Sequence, residues 1–226
     1  MKRVAGLGLL LVVLVAGCRQ KLDVDSAELI RTPEAARTAM KEVLDVAGPL
    51  IQKSLDGEEL TGEDRARLAS RLPTLNGLVQ YDPKAFGPLA VRGKILILLN
   101  QPDRALESCA VAVGLLPAEP TREESIAAAE CRFDISTVYF TRRDFDKAEI
   151  ELREALRIVP DDLRYRLSLV QLLMEARRTD AAREELDKAA ARRPDHPGVK
   201  RLRELLSEAA SPSSDPKAEG TAPASP

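Results

Sequence analysis

Residues 133–160 read FDISTVYFTRRDFDKAEIELREALRIVP, and residues 167–194 read LSLVQLLMEARRTDAAREELDKAAARRP. The second stretch repeats the first at a shift of 34 residues. Ala148, Leu152, Ala155 and Pro160 become Ala182, Leu186, Ala189 and Pro194, while Ile135 and Tyr139 become Leu169 and Leu173. Small and large apolar residues recurring in step at this period mark an array of helical hairpins, each unable to bury its apolar face alone. Arrays of this kind bind and organise other proteins more often than they catalyse.

The register extends backwards. A repeat from Phe86 to Glu119 carries Leu89, Gly93 and Leu96 on its first helix and Ala105, Cys109, Ala112 and Val113 on its second. It is offset by 43 residues from the next, so nine residues are inserted near Ala118 to Ala128. Thr121 and Glu124 have capping-box spacing, so the insertion lengthens the following helix by about two turns. Leu75, Leu78, Val79, Tyr81 and Pro83 form a decayed second helix 34 residues before Cys109, Ala112, Val113, Leu115 and Pro117. Further upstream, Thr32-Pro33 starts a helix with Thr as N-cap and Pro at its first position. Met40, Val43, Leu44, Ala47, Leu50 and Ile51 follow at helical spacing, and Gly48-Pro49 is expected to kink or split that run. Pro197 opens a closing helix with Val199, Leu202, Leu205 and Leu206 on one side, which lets a solenoid end without exposing its core.

Composition agrees with helices. Aromatics are 3% of the 226 residues and Trp is absent, so the core is built from Leu, Ala, Val and Ile. A formal net charge of −2 gives no nucleic-acid footprint. From 210 to 226, 14 of 17 residues are Ala, Ser, Pro, Gly or Thr, too little apolar surface to order a tail.

The run from Phe133, Ser136 and Tyr139 through Asp144-Phe145-Asp146-Lys147-Ala148 to Ala155-Leu156 and Pro160 resembles the tetratricopeptide repeat. The resemblance is strongest over 129–196, good over 86–117 and weak before that. Arg132 and Arg166 stand where the family has Trp, and Arg143 and Arg177 where it has a turn Gly. The resemblance implies an all-α fold: a short right-handed helical-hairpin solenoid with an N-terminal helical block (32–82), repeats at 86–119, 120–162 and 163–196, and a capping helix at 197–209. It also implies a concave groove on the first helices. On the first repeat its positions are Ala90, Val91, Lys94, Ile97 and Leu98. The second contributes Phe133, Thr137 and Phe140, and the third Leu167, Gln171 and Met174. This face is mostly apolar. Family members that clamp a terminal carboxylate use Lys, Arg and Asn there, and only Lys94 fits. An amphipathic helix or an extended apolar segment suits it better, unless residues 33–80 of the chain itself occupy it. Family packing sets the second helix of one repeat against the first of the next, which brings Cys109 near Cys131. A disulfide between them is one expectation, and two buried free thiols are the other.

The N-terminus carries a second resemblance. Lys2 and Arg3 precede an apolar stretch from Ala5 to Ala16, and Leu14-Val15-Ala16-Gly17-Cys18 resembles the lipobox of bacterial lipoproteins. It implies that residues 1–17 are a removed signal peptide. Cys18 then carries a diacylglycerol and an N-acyl chain, with 18–31 as a tether. Arg19, where inner-membrane retention uses Asp, favours the periplasmic face of the outer membrane.

Catalytic and metal chemistry has little to build on. His196 is the one histidine and stands beside Pro197 at a helix start, where capping accounts for it. With two cysteines besides Cys18, a zinc site is hard to assemble. No catalytic residue, metal ligand or cofactor is expected beyond the covalent lipid. The expectation is a lipid-anchored scaffold binding envelope proteins through peptide or helix segments in assembly of a cell-envelope complex, type IV pilus secretin assembly being the first choice. The alternative is a periplasmic carrier of lipid or another apolar ligand.

Overall fold

A computed structural model describes residues 30–210, and every regular element among them is a helix. Residues 1–17, Cys18 and nearly all of the expected tail at 210–226 lie outside the described residues. The chain divides after Pro160 into two compact units.

The first unit holds α1 (Pro33–Leu55), α2 (Gly62–Ala69), α3 (Leu72–Tyr81), α4 (Phe86–Leu98), α5 (Pro102–Gly114), α6 (Arg122–Thr141) and α7 (Phe145–Ile158). Its starts follow the sequence. Thr32 Oγ1 accepts from the Ala35 amide, and both reciprocal bonds of a capping box form at Thr61/Asp64 and at Thr121/Glu124. The nine-residue insertion lengthens α6 to 20 residues, against 13 in α4, which is about two turns. Pro49 does not split α1. Its ring points to solvent, while Val43, Ala47 and Leu50 on the opposite side are buried, so packing holds the helix through the lost hydrogen bond. Ile30, expected in the tether, is buried with these residues because its side chain completes their apolar cluster.

Two clusters of buried side chains bracket α4 in this unit. Val43, Ala47 and Leu50 of α1 meet Leu68 of α2, Leu75 and Leu78 of α3, and Ile95 of α4. Phe86 and Leu89 of α4 meet Cys109 and Ala112 of α5 and Ala128, Cys131 and Ile135 of α6. Gly93 permits this approach, since a Cβ there would collide with Cys109 Sγ.

The second unit holds α8 (Leu163–Glu175), α9 (Thr179–Arg192) and α10 (Pro197–Ala210). Leu169, Leu173, Ala182, Leu186 and Ala189 of the 34-residue register are all buried, and Pro194, which follows α9, is exposed. The sole histidine caps α10: His196 Nδ1 accepts from the Gly198 amide at 3.1 Å. Gly198 brings α10 onto α8, because a Cβ there would meet Leu167 Cδ1 at 2.8 Å.

The hairpin turns repeat as faithfully as the helices. Asn100, Arg143 and Arg177 have φ of 56°, 60° and 58°. In each turn the next amide donates back to the first helix: Gln101 to Leu96 O, Asp144 to Tyr139 O and Arg178 to Leu173 O, at 2.9, 3.0 and 2.8 Å. The left-handed residue itself donates to Ile97, Phe140 or Met174 O, at 2.9 Å in each. These are three Schellman closures, and they satisfy the orphan carbonyls at each first-helix end.

Candidate functional site: the groove between α4 and α6

A cavity of about 380 Å³ opens in the first unit between α4 and α6, inside the usual range for ligand sites. Ala90, Val91 and Lys94 of α4 form one wall. Glu123, Ile126, Ala127, Glu130, Cys131 and Asp134 of α6 form the other, and Ile51 of α1 closes the side. The lining is apolar apart from a charge cluster. Lys94 Nζ contacts Asp134 Oδ1 at 2.6 Å and Glu130 Oε2 at 3.3 Å, with 14% of the Lys94 side chain and 4% of the Asp134 side chain exposed. Burial alone would lower the Lys94 ammonium, but Asp134 and Glu130 outweigh it and hold Lys94 above its ordinary value. The lysine therefore stays charged and ties α4 to α6 at the groove floor.

The expected groove residues differ in their surroundings. Ala90, Val91 and Lys94 line the cavity. Val91 and Leu98 also pack against the N-terminal core, and the Leu98 carbonyl accepts from Arg65 Nη1 at 2.6 Å. The N-terminal block thus covers one end of the α4 face and leaves the Lys94 end open. Ile97 is half-buried. Phe133 is half-buried, Thr137 is exposed with its hydroxyl on Phe133 O at 3.0 Å, and the Phe140 ring stacks at a tilt on Phe145, centroids 5.9 Å apart. In the second unit, Leu167 touches α10, Gln171 is exposed and Met174 is half-buried. The sequence reading missed Ile51, Ile126, Glu130 and Asp134. Glu130 and Asp134 lie 36 and 40 residues from Lys94, and no local pattern encodes that separation.

Cys109 and Cys131 are both buried, and their thiols are free in this structure. Both belong to one buried cluster, and the neighbouring Cys131 thiol together with burial pushes the Cys109 thiol far above its ordinary value.

A larger cavity, about 740 Å³, lies in the second unit and is lined by Asp161, Asp162, Arg166, Arg192, Arg193 and His196 among others. Its charges already serve the fold. Arg192 pairs with Asp161, Arg166 with Glu185, and Asp162 caps α8. Among the described residues no group of three His, Cys, Asp or Glu side chains is placed to hold a metal ion. Nor is any helix among them long and apolar enough to cross a membrane.

Missing Trp and turn Gly have structural replacements. Arg132 Nη1 contacts Glu151 Oε2 at 2.8 Å, and Arg166 Nη1 contacts Glu185 Oε2 at 2.8 Å. Each pair joins the two helices of one hairpin, at positions 34 residues apart. With the paired helices, the Schellman turns and the small-residue contacts in place, the family comparison is decisive for the C-terminal hairpins. Residues 129–206 match the tetratricopeptide repeat family.

Solved structures extend the likeness beyond those residues. The crystal structure of MamA superposes with a TM-score of 0.56 at 17% identity, covering 67% of this chain and 85% of that one. Another crystal structure, of MamA protein, gives a TM-score of 0.50 at 18% identity, covering 77% and 91%. The crystal structure of TTC0263, a thermophilic TPR protein in Thermus thermophilus, gives 0.45 at 20% identity, covering 77% and 98%. At such identities the first two establish a shared fold. No curated protein matches the chain. The described residues are all-α, with tetratricopeptide-like hairpins.

Proposed function

We propose that the chain is a non-catalytic adaptor of the bacterial envelope, held to the membrane by lipid on Cys18, whose α4–α6 groove receives a helical segment of a partner protein. The groove carries the proposal. Its apolar lining comes from Ile51, Ala90, Val91, Ile126 and Ala127, while its polar members are three acids, Glu123, Glu130 and Asp134, against one lysine, Lys94. An occupant complementary to it is an amphipathic helix with an apolar stripe flanked by Lys or Arg. The acidic surplus disfavours the anionic head of a fatty acid or phospholipid.

The lipid anchor rests on Lys2, Arg3 and the Leu14–Cys18 lipobox, and its position at the outer membrane on Arg19. Two or more acyl chains give stable attachment where one is marginal. Among envelope assemblies, type IV pilus secretin assembly is the first to test.

Two measurements check this reading. Metabolic labelling with palmitate marks the chain in cells, and Cys18→Ser abolishes the label; a variant that keeps the label ends the anchor reading. For the groove, fluorescence anisotropy with a labelled basic amphipathic peptide shows saturable binding. Ile126→Arg, at an exposed rim position, weakens it at least roughly tenfold, as loss of a central apolar contact does. Equal binding of an acidic peptide, indifference to Ile126→Arg, or stoichiometric lipid in an organic extract of the purified protein overturns the peptide-groove reading.

A further inference from the structure

Cys109 of α5 and Cys131 of α6 meet where three helices converge. Gly93 of α4 leaves the space that Cys109 Sγ fills, and both cysteines belong to one buried cluster with Phe86, Leu89, Ala128 and Ile135. They differ in access. Cys131 lines the groove cavity, and Cys109 does not. A small molecule entering the groove therefore meets Cys131 before Cys109, which is fully buried in the same cluster. Two thiols in one buried cluster on neighbouring helices are placed for disulfide closure.

We infer that Cys131 and Cys109 form a two-step oxidation site, at which a low-molecular-weight disulfide entering the groove staples α5 to α6 beneath the groove floor. Cys131 loses its proton and attacks the donor R–S–S–R. This forms the mixed disulfide Cys131–S–S–R and releases one thiolate. Cys109 then loses its proton and attacks the Cys131 sulfur, releasing the second thiolate. The protein gives up two protons and two electrons, and the donor leaves as two thiols. The Cys131 thiol, burial and the Asp134 carboxylate all keep Cys109 protonated, against the smaller opposite pull of Lys94. The order of events follows from access: the adduct forms on residue 131, which lines the cavity, before Cys109 closes the staple.

The inference rests on the envelope reading only for the source of the donor, since such compartments are oxidising. The test uses the full chain carrying Cys18→Ser, treated with oxidised glutathione and followed by intact mass and peptide mapping. The expected product is an intramolecular Cys109–Cys131 bond, preceded by a glutathione adduct on Cys131. Adding Cys109→Ser traps that adduct, while Cys131→Ser in its place leaves Cys109 unmodified over the same period. Closing the loop from 109 to 131 raises Tm by roughly 5–10 °C. An adduct preferring Cys109, equal modification of the two single-cysteine variants, or a native parent that stays reduced while its urea-unfolded form oxidises overturns the inference. None of these outcomes depends on palmitate labelling or peptide binding, so failure here is distinct from failure of the adaptor reading.

Discussion

The hairpins α6–α7 and α8–α9 make the same ion pair 34 residues apart, and the two pairs are not equivalent. Arg166 and Glu185 are 13% and 6% exposed, and Glu185 also receives Lys188 Nζ at 2.8 Å. Arg132 and Glu151 are 23% and 21% exposed, and Arg132 Nε is buried with no hydrogen-bond partner among the described residues. The family uses a Trp at both arginine positions. A Trp fills that space without needing a counter-charge; an Arg fills it with its aliphatic stem and then obliges the facing helix to supply a carboxylate. The second unit meets that demand fully and the first only in part, so one substitution pattern leaves hairpins of different strength. A third arrangement stands at the same register in α4–α5, where Leu89 and Ser108 take the two places and the Ser108 hydroxyl donates to Leu89 O at 2.9 Å.

The largest expected loss lies outside these pairs, in the cluster that has no counterpart in the second unit. Lys94→Met removes the ammonium that contacts both Asp134 and Glu130 at this partly desolvated site. Removing one partner of a buried pair costs about 3–5 kcal/mol, so chemical denaturation should show a shift of that order in the first unit. A loss under about 1 kcal/mol would mean that water screens the two carboxylates and that the groove floor is wetter than its burial implies.

Next in size comes the comparison itself. Glu185→Gln removes a carboxylate that holds both Arg166 and Lys188, and should cost about 2–3 kcal/mol. Glu151→Gln, in the more exposed pair, should cost about 1 kcal/mol. Equal losses would break the ranking of the two hairpins. Acid titration sharpens it. Burial alone would raise the Glu185 carboxyl, but Lys188 and Arg166 outweigh it and hold the group below its ordinary 4.5. A depressed carboxylate contributes stability above its unfolded pKa and loses it as pH falls through the folded value. Glu185 therefore contributes fully above about pH 5 and progressively less below 4.5, and the wild-type acid transition should flatten in Glu185→Gln. Asp64 behaves alike in the first unit. The hydrogen bond from Lys53 and the Thr61 cap draw it from 3.8 to about 2, so its contribution fades between those values.

How far the sequence carried the fold follows from what each contact depends on. Caps, turns and the longer α6 are local: Thr121 and Glu124 sit three residues apart, and each closing amide reaches back no further than the last turns of its own hairpin's first helix. Cap signatures and the repeat period place them. The arginines in the Trp positions were visible as departures, but their partners were not, because Glu151 and Glu185 lie 19 residues away on the facing helix. Their signal was the register itself, since the glutamates recur at 34 along with the arginines. The Lys94 cluster spans an inserted segment and has no repeat to betray it. Pro49 misled because the sequence exposes its local cost and hides the packing of Val43, Ala47 and Leu50 that offsets it. The groove was legible as a list of helix faces. Which of those faces stay open depends on α1 and α10, whose docking against α4 and α8 is tertiary.

The smallest expected effect is a gain, and it tests whether the repeated turns are as alike as their dihedrals. Arg143 and Arg177 hold left-handed backbone that costs a non-glycine residue about 1–2 kcal/mol. Glycine removes that cost and adds about 0.4–1 kcal/mol of unfolded-state entropy. Arg177→Gly should therefore stabilise by about 0.5–1 kcal/mol and raise Tm by roughly 2–4 °C. Arg143→Gly forfeits more, because the Arg143 guanidinium lies 5.4 Å from the Phe145 ring centroid, a contact of about 0.5–1 kcal/mol. Its net change should be near zero. Paired thermal scans of the two variants decide the matter: a gain at 177 without one at 143 assigns the difference to the Phe145 contact, and Arg143→Gly/Phe145→Leu set against Phe145→Leu should then recover the gain. If Arg177→Gly destabilises instead, its side chain contributes more than the turn strain costs, and the two hairpins differ at their turns as well as at their ion pairs.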